Sequence, residues 1–187
     1  MSALLIVLGA ALVLVLWFVS VYNGLVRLRN QVDNAWAQID VQLKRRHDLI
    51  PNLLNTVKGY MAHERETLEA IVKARTAAMA AKGPAEAGPA EAQLAGALRG
   101  LMVNVERYPD LKASANFLAL QEELASTENK ISFARQAYND SVTVYNTRIQ
   151  TIPANIIAGM FNFEKMPYFQ ASEGAENAPD VKELFKD

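Results

Sequence analysis

The sequence predicts an all-α chain in which an N-terminal transmembrane helix continues into a long antiparallel helical bundle with coiled-coil-like packing. Three observations carry this. Residues 3–22 hold no charged side chain and are almost entirely apolar. Apolar residues then recur at three- and four-residue steps, the period of a helix and not the alternation of a strand. Further on, six apolar residues fall at strict seven-residue intervals. The 187 residues suffice for one membrane segment and one soluble domain. The chain divides on this reading into an anchor at 1–23, a bundle at 24–153 with a loop at 82–93, an aromatic segment at 154–170 and a polar tail, expected to be mobile, at 171–187.

The anchor is the first element. About 20 apolar residues at a rise of about 1.5 Å cover a hydrocarbon core of about 30 Å. A soluble core helix rarely stays apolar on every face for that length. Leu4, Leu5, Ile6, Leu12, Leu14, Leu16 and Phe18 supply the lipid-facing surface, and Trp17 and Tyr22 fall where amphipathic rings prefer the headgroups. No Lys or Arg precedes the run and no small-x-small site follows it, so cleavage as a signal peptide is not expected. Arg27 and Arg29 lie just after the span, which by the positive-inside rule sets the N-terminus outside and the bundle in the cytoplasm.

Leu25, Leu28, Val32, Ala35, Ile39, Leu43, Ile50, Leu54, Val57, Met61, Leu68 and Val72 continue the helical period. Pro51 interrupts it, because its ring meets the His47 carbonyl and its nitrogen has no hydrogen to give. Either one long helix bends at Pro51, or Asp48 caps a new helix after a hairpin; the unbroken phase from Leu43 to Ile50 favours the first. The duplicated Gly-Pro-Ala-Glu-Ala at 83–87 and 88–92 reads as a surface loop, since tandem Gly-Pro pairs do not suit a helix interior. Leu94, Leu98, Leu101, Met102 and Val105 mark a shorter amphipathic helix ending near Tyr108 and Pro109. Phe117, Leu124, Ile131, Tyr138, Tyr145 and Ile152 make the heptad seam of a long helix that Pro153 ends.

Ile156, Ile157, Met160, Phe161, Phe163, Met166, Tyr168 and Phe169 crowd a segment with two breakers, Gly159 and Pro167. It is either a cap over one end of the bundle or a contact surface for another subunit or protein.

Chemistry is sparse in this sequence. There is no cysteine, so disulfides, thiolate metal sites and a Cys nucleophile are excluded. Lys plus Arg (19) nearly balances Asp plus Glu (20), which leaves no positive field for nucleic acid. His63-Glu64 begins like a zincin pair, but Thr67 stands where the second histidine would be, so His63, Glu64 and Glu66 read as a helix face. Lys44-Arg45-Arg46-His47 reads as a solvated face beside Pro51, with docking of an acidic partner as the alternative. Glu64 shares the phase of Ile50, Val57 and Ile71, and a carboxylate facing the interior needs a cation. Arg135 or Arg148 is expected to supply it. No catalytic residue, metal ligand, cofactor or small-molecule substrate is predicted.

The run from Tyr22 and Asn23 through Asn30, Trp36 and Asp40 to Arg46 resembles the LemA family, as do Asp48 to Leu53, Lys58 to Glu64, Tyr108 to Lys112, Thr127 to Ile131 and the Tyr-Asn pairs at Tyr138 and Tyr145. The resemblance covers essentially the whole chain. It implies a bacterial membrane protein with a short outside tail and a cytoplasmic helical bundle, and it brings no established catalytic residue. It also implies a partner class, because family members are often encoded near quality-control proteins such as the HtpX-type metalloprotease.

Two functions follow as expectations: a membrane scaffold that assembles with copies of itself, or an adaptor for a membrane protease. An enzyme built on His63 and Glu64 is a distant third.

Overall fold

The computed structural model describes residues 2–170; the polar tail expected at 171–187 lies outside the described residues. Six helices and no strand occur among them: α1 (Ser2–Lys58), α2 (Arg65–Ala80), α3 (Gly83–Val105), α4 (Pro109–Lys112), α5 (Ala115–Gln150) and α6 (Ala154–Met160). The long helices form an antiparallel bundle. The described residues fall into two compact units, one of residues 2–39 with 134–167, the other of residues 40–133 with 168–170. α1 and α5 contribute residues to both.

The first unit contains the apolar start of α1. Leu4, Leu5, Ile6, Leu12, Leu14 and Leu16 are 60–71% exposed, and Trp17 is 42% exposed. This stretch is long and apolar enough to cross a membrane, and none of it is buried against the rest of the chain. From Val21 onward the helix turns a stripe of Leu25, Val32, Ala35 and Ile39 inward. Trp36 meets Tyr138 edge-on with ring centroids 5.8 Å apart. Arg29, seven residues earlier on α1, acts on Tyr145, seven residues later on α5, so the two helices run antiparallel here.

The heptad seam holds over most of α5. Phe117, Ile131, Tyr138 and Tyr145 are buried and Leu124 is half-buried. Ile152 departs from it and is 82% exposed. The reason is local: α5 ends at Gln150, so the phase is lost in the turn before Pro153. Val142 and Ile149 are the buried partners of Tyr138 and Tyr145 at helical spacing.

The second unit is built around Ile50, Leu53, Val57, Met61, Ile71, Leu94, Leu101, Val105, Leu111 and Phe117. α1 passes through Pro51 without ending, which settles the alternatives in favour of one helix over a hairpin. Val72, expected on the inner face, is exposed, because the turn at 59–64 resets the phase and Ile71 points inward instead.

The repeat at 82–93 is a correction. It is not a loop but the opening of α3. Pro84 occupies the first turn, where a missing N–H costs nothing, and Gly83 takes φ +70, open to glycine and strained for other residues. Pro89 lies inside the helix and leaves the Ala85 carbonyl without its usual donor, yet α3 continues through it. Ala87, Glu91, Leu94, Leu101 and Val105 then lie on one buried face. Gly88 is also buried, and a Cβ there would run into the carbonyl of Gln170, so the chain's return past α3 requires glycine at this position.

Candidate functional site

The polar centre of the second unit grows from a residue that breaks a row. On α1 the inward positions run Ile39, Leu43, Arg46, Ile50, Leu53 and Val57, and Arg46 is only 4% exposed. Its guanidinium donates from Nη1 to Glu91 Oε2 at 3.1 Å and from Nη2 to Glu128 Oε2. Glu91, 5% exposed, uses its other oxygen to accept from Nε2 of buried His47 at 2.6 Å. Both oxygens of Glu91 are therefore satisfied, and one carboxylate holds two basic side chains. Glu128 is half-exposed and keeps one side in water.

Pro51 belongs to the same centre. Without an N–H it leaves the carbonyl of His47, four residues earlier, with no intrahelical donor. Arg75 on α2 supplies one: its Nε donates to that carbonyl at 2.8 Å. The proline is accommodated in mid-helix because a neighbouring helix completes the bond it removes.

Chemically, this arrangement ties α1, α2, α3 and α5 together by charge within the unit. It contains a donor–acceptor pair in His47 and Glu91. Its geometry suits fixing the register of packed helices better than turnover.

The expected solvated face at Arg46 and His47 is thus corrected: both are buried, while Lys44 and Arg45 face outward. The expected pairing of Glu64 with Arg135 or Arg148 is also corrected. Glu64 precedes the first residue of α2 without a side-chain capping bond and accepts from Arg107 Nη2 at 2.9 Å, with Asn104 Nδ2 at 3.4 Å and Tyr108 Oη at 3.4 Å. The helical phase that pointed to the interior ends at Lys58, so it does not reach Glu64. His63 and Glu66 are exposed. Among the described residues no three His, Cys, Asp or Glu side chains cluster in a way that could hold a metal.

A second polar arrangement belongs to the first unit. Tyr138 Oη donates to the Pro167 carbonyl at 2.7 Å and Tyr145 Oη to the Glu164 carbonyl at 3.0 Å. Asn146 donates to the Met166 carbonyl and accepts from the Met166 N–H, each at 2.9 Å. The seam tyrosines therefore pack as apolar residues and clamp the extended segment 164–167 with their hydroxyls. Burial first, and Asp33 second, push the Tyr138 phenol up to about 12. Tyr145 is raised too, by burial first and with Arg29 opposing.

The aromatic segment separates into parts with different roles. Ile157 and Phe169 are core. Phe163 meets Tyr22 with centroids 5.9 Å apart, and Phe161 meets Tyr22 at 4.8 Å and Phe18 at 6.0 Å. Ile156, Met160, Phe161 and Tyr168 are exposed. The heptad reading found the tyrosines. It missed Glu91, although Ala87, Glu91, Leu94, Leu101 and Val105 already extend the stripe upstream through the repeat.

A family model described as the LemA family matches residues 35–182. The chain is similar to Protein LemA of Metamycoplasma hominis, 31% identical over 164 residues that take in 87% of this chain and 74% of that protein. It is also similar, at 23% identity, to Magnetosome protein MamQ 2 of Paramagnetospirillum magneticum and, at 21%, to Magnetosome protein MamQ of Magnetospirillum gryphiswaldense. Each of those two matches takes in 89% of this chain and 71% of the relative.

Proposed function

The chain belongs to the LemA family, and on that footing we propose that it is a membrane-anchored helical scaffold, without enzymatic activity, that assembles with copies of itself at the cytoplasmic face of a bacterial membrane. The observation that carries the reading is α1. One helix bears an apolar stretch exposed on all sides and then, without a break, the inward stripe of the bundle. Burying the exposed stretch in anything but lipid would need a protein surface apolar around a whole helix.

Arg27 and Arg29 support a cytoplasmic bundle. Self-assembly is supported by large apolar side chains left outward on the bundle helices: Phe133 on α5 is 76% exposed and Val41 on α1 is 62% exposed. The same side chains would serve an adaptor that receives another membrane protein, such as an HtpX-type metalloprotease, which the family resemblance brings forward. No catalytic residue or cofactor is assigned.

Mass measurement of the purified full chain in detergent separates the two. A scaffold forms a defined homo-oligomer by itself, and Phe133→Asp reduces it to smaller species with helix content unchanged. A monomer at micromolar concentration, indifferent to Phe133→Asp, would rule out self-assembly and leave the adaptor. Orientation is tested separately, since the chain has no cysteine of its own. Ala85→Cys, on the exposed face of α3, should resist an impermeant maleimide in intact cells and react after permeabilisation.

A further inference from the structure

The turn after α5 and the short helix α6 leave an apolar edge that the bundle does not use. Ile152, Ile156 and Met160 follow at four-residue spacing and are 82%, 62% and 65% exposed. Ala154, Ile157 and Ala158 on the other side of α6 are buried. The exposed edge is not isolated. Phe161, next in sequence to Met160, packs on Phe18 and Tyr22, the residues where the apolar stretch of α1 ends. Two apolar surfaces, the exposed start of α1 and the exposed edge of α6, are thereby joined through one aromatic cluster.

We infer that α6 and the turn before it are a second membrane contact, in which Ile152, Ile156, Met160 and Phe161 enter the headgroup–acyl boundary of the leaflet from which α1 emerges. The inference rests on the membrane reading of α1 and goes beyond it. Continuity selects lipid over a protein partner, because Phe161 is held beside residues at the level where aromatic rings meet headgroups. With Ala154, Ile157 and Ala158 buried in the bundle, the opposite, apolar edge of α6 is free to lie along the membrane surface. Arg27 and Lys165, both exposed, are available to anionic headgroups, with Glu164 as the nearest opposing charge in sequence. The contact would hold the bundle against the membrane instead of leaving it to swing on a single anchor.

The test uses the full chain in vesicles of phosphatidylcholine and phosphatidylglycerol, with a nitroxide placed singly through Ile156→Cys, Met160→Cys, Leu12→Cys or Ser132→Cys. Accessibility to oxygen is compared with accessibility to a water-soluble nickel complex. Labels at 156 and 160 are expected to favour oxygen several-fold over the label at 132, at a shallower depth than the label at 12. If 12 lies in lipid while 156 and 160 behave like 132, this inference is wrong and the anchor stands. If 12 is also aqueous, the anchor reading itself fails. Labels at 156 and 160 shielded from both probes would place them against protein, and that too would overturn the inference.

Discussion

Arg46 occupies a position where its neighbours at three- and four-residue spacing are Leu43, Ile50 and Leu53, all buried. A cation there is tolerable only while Glu91 and Glu128 hold it. Glu91→Ala strips both Arg46 and His47 of their shared acceptor, and a loss of about 3–5 kcal/mol is expected in urea unfolding of the full chain in detergent. Replacing the pair together, as Arg46→Met with Glu91→Leu, should cost less, because the buried guanidinium leaves with its acceptor and Glu128 stays partly in water, so that only His47 loses a buried partner. Equal losses in both variants would mean that packing, not charge, holds this centre. In the other unit, Tyr138 makes stability depend on alkaline pH. The folded phenol ionises near 12 against about 10 for a free tyrosine, so its proton is favoured in the folded state. Its contribution is complete below about pH 10 and is lost as pH rises through 12. The urea midpoint should therefore fall between pH 10 and 12 more steeply for the native chain than for Tyr138→Phe. Matching slopes would remove Tyr138 as the cause.

The elements show what a sequence pattern can and cannot report. The seam at Phe117, Ile131, Tyr138 and Tyr145 was legible because burial of large side chains at one period leaves a trace in composition. Glu91 was masked by its setting: it continues the stripe of Leu94, Leu101 and Val105, but a charged residue inside a Gly-Pro repeat resembles a loop locally, and its buried partners are distant in sequence. Glu64 misled for the opposite reason. Its phase matched a helix that had already ended at Lys58. Pro51 was legible as a disturbance but not in its remedy, which comes from Arg75 on another helix. That remedy predicts a coupling. Arg75→Met should cost about 1–3 kcal/mol with Pro51 in place, since it orphans the His47 carbonyl. In a Pro51→Ala background, alanine's N–H can take over that carbonyl and the cost of Arg75→Met should shrink. A double-mutant cycle by urea denaturation checks it, and additive effects would contradict the role given to Arg75.

At the scale of the whole molecule, α1 sets the logic: one helix carries lipid-facing residues first and bundle-facing residues after. The apolar run and its length were readable from sequence because a membrane demands the same property on every face. The tie between Phe161 and the end of that run was not, since 161 and 18 are brought together only by the fold. The anchor, the orientation and the second membrane contact all depend on the start of α1 residing in lipid. Alkaline carbonate extraction of membranes from cells producing the full chain tests this most directly. The native chain should remain with the membrane pellet, whereas a Leu12→Lys, Leu14→Lys variant, with two charges each disfavoured by about 3 kcal/mol at mid-bilayer, should be released. Release of the native chain by carbonate, or retention of both, would contradict the anchor on which the rest depends.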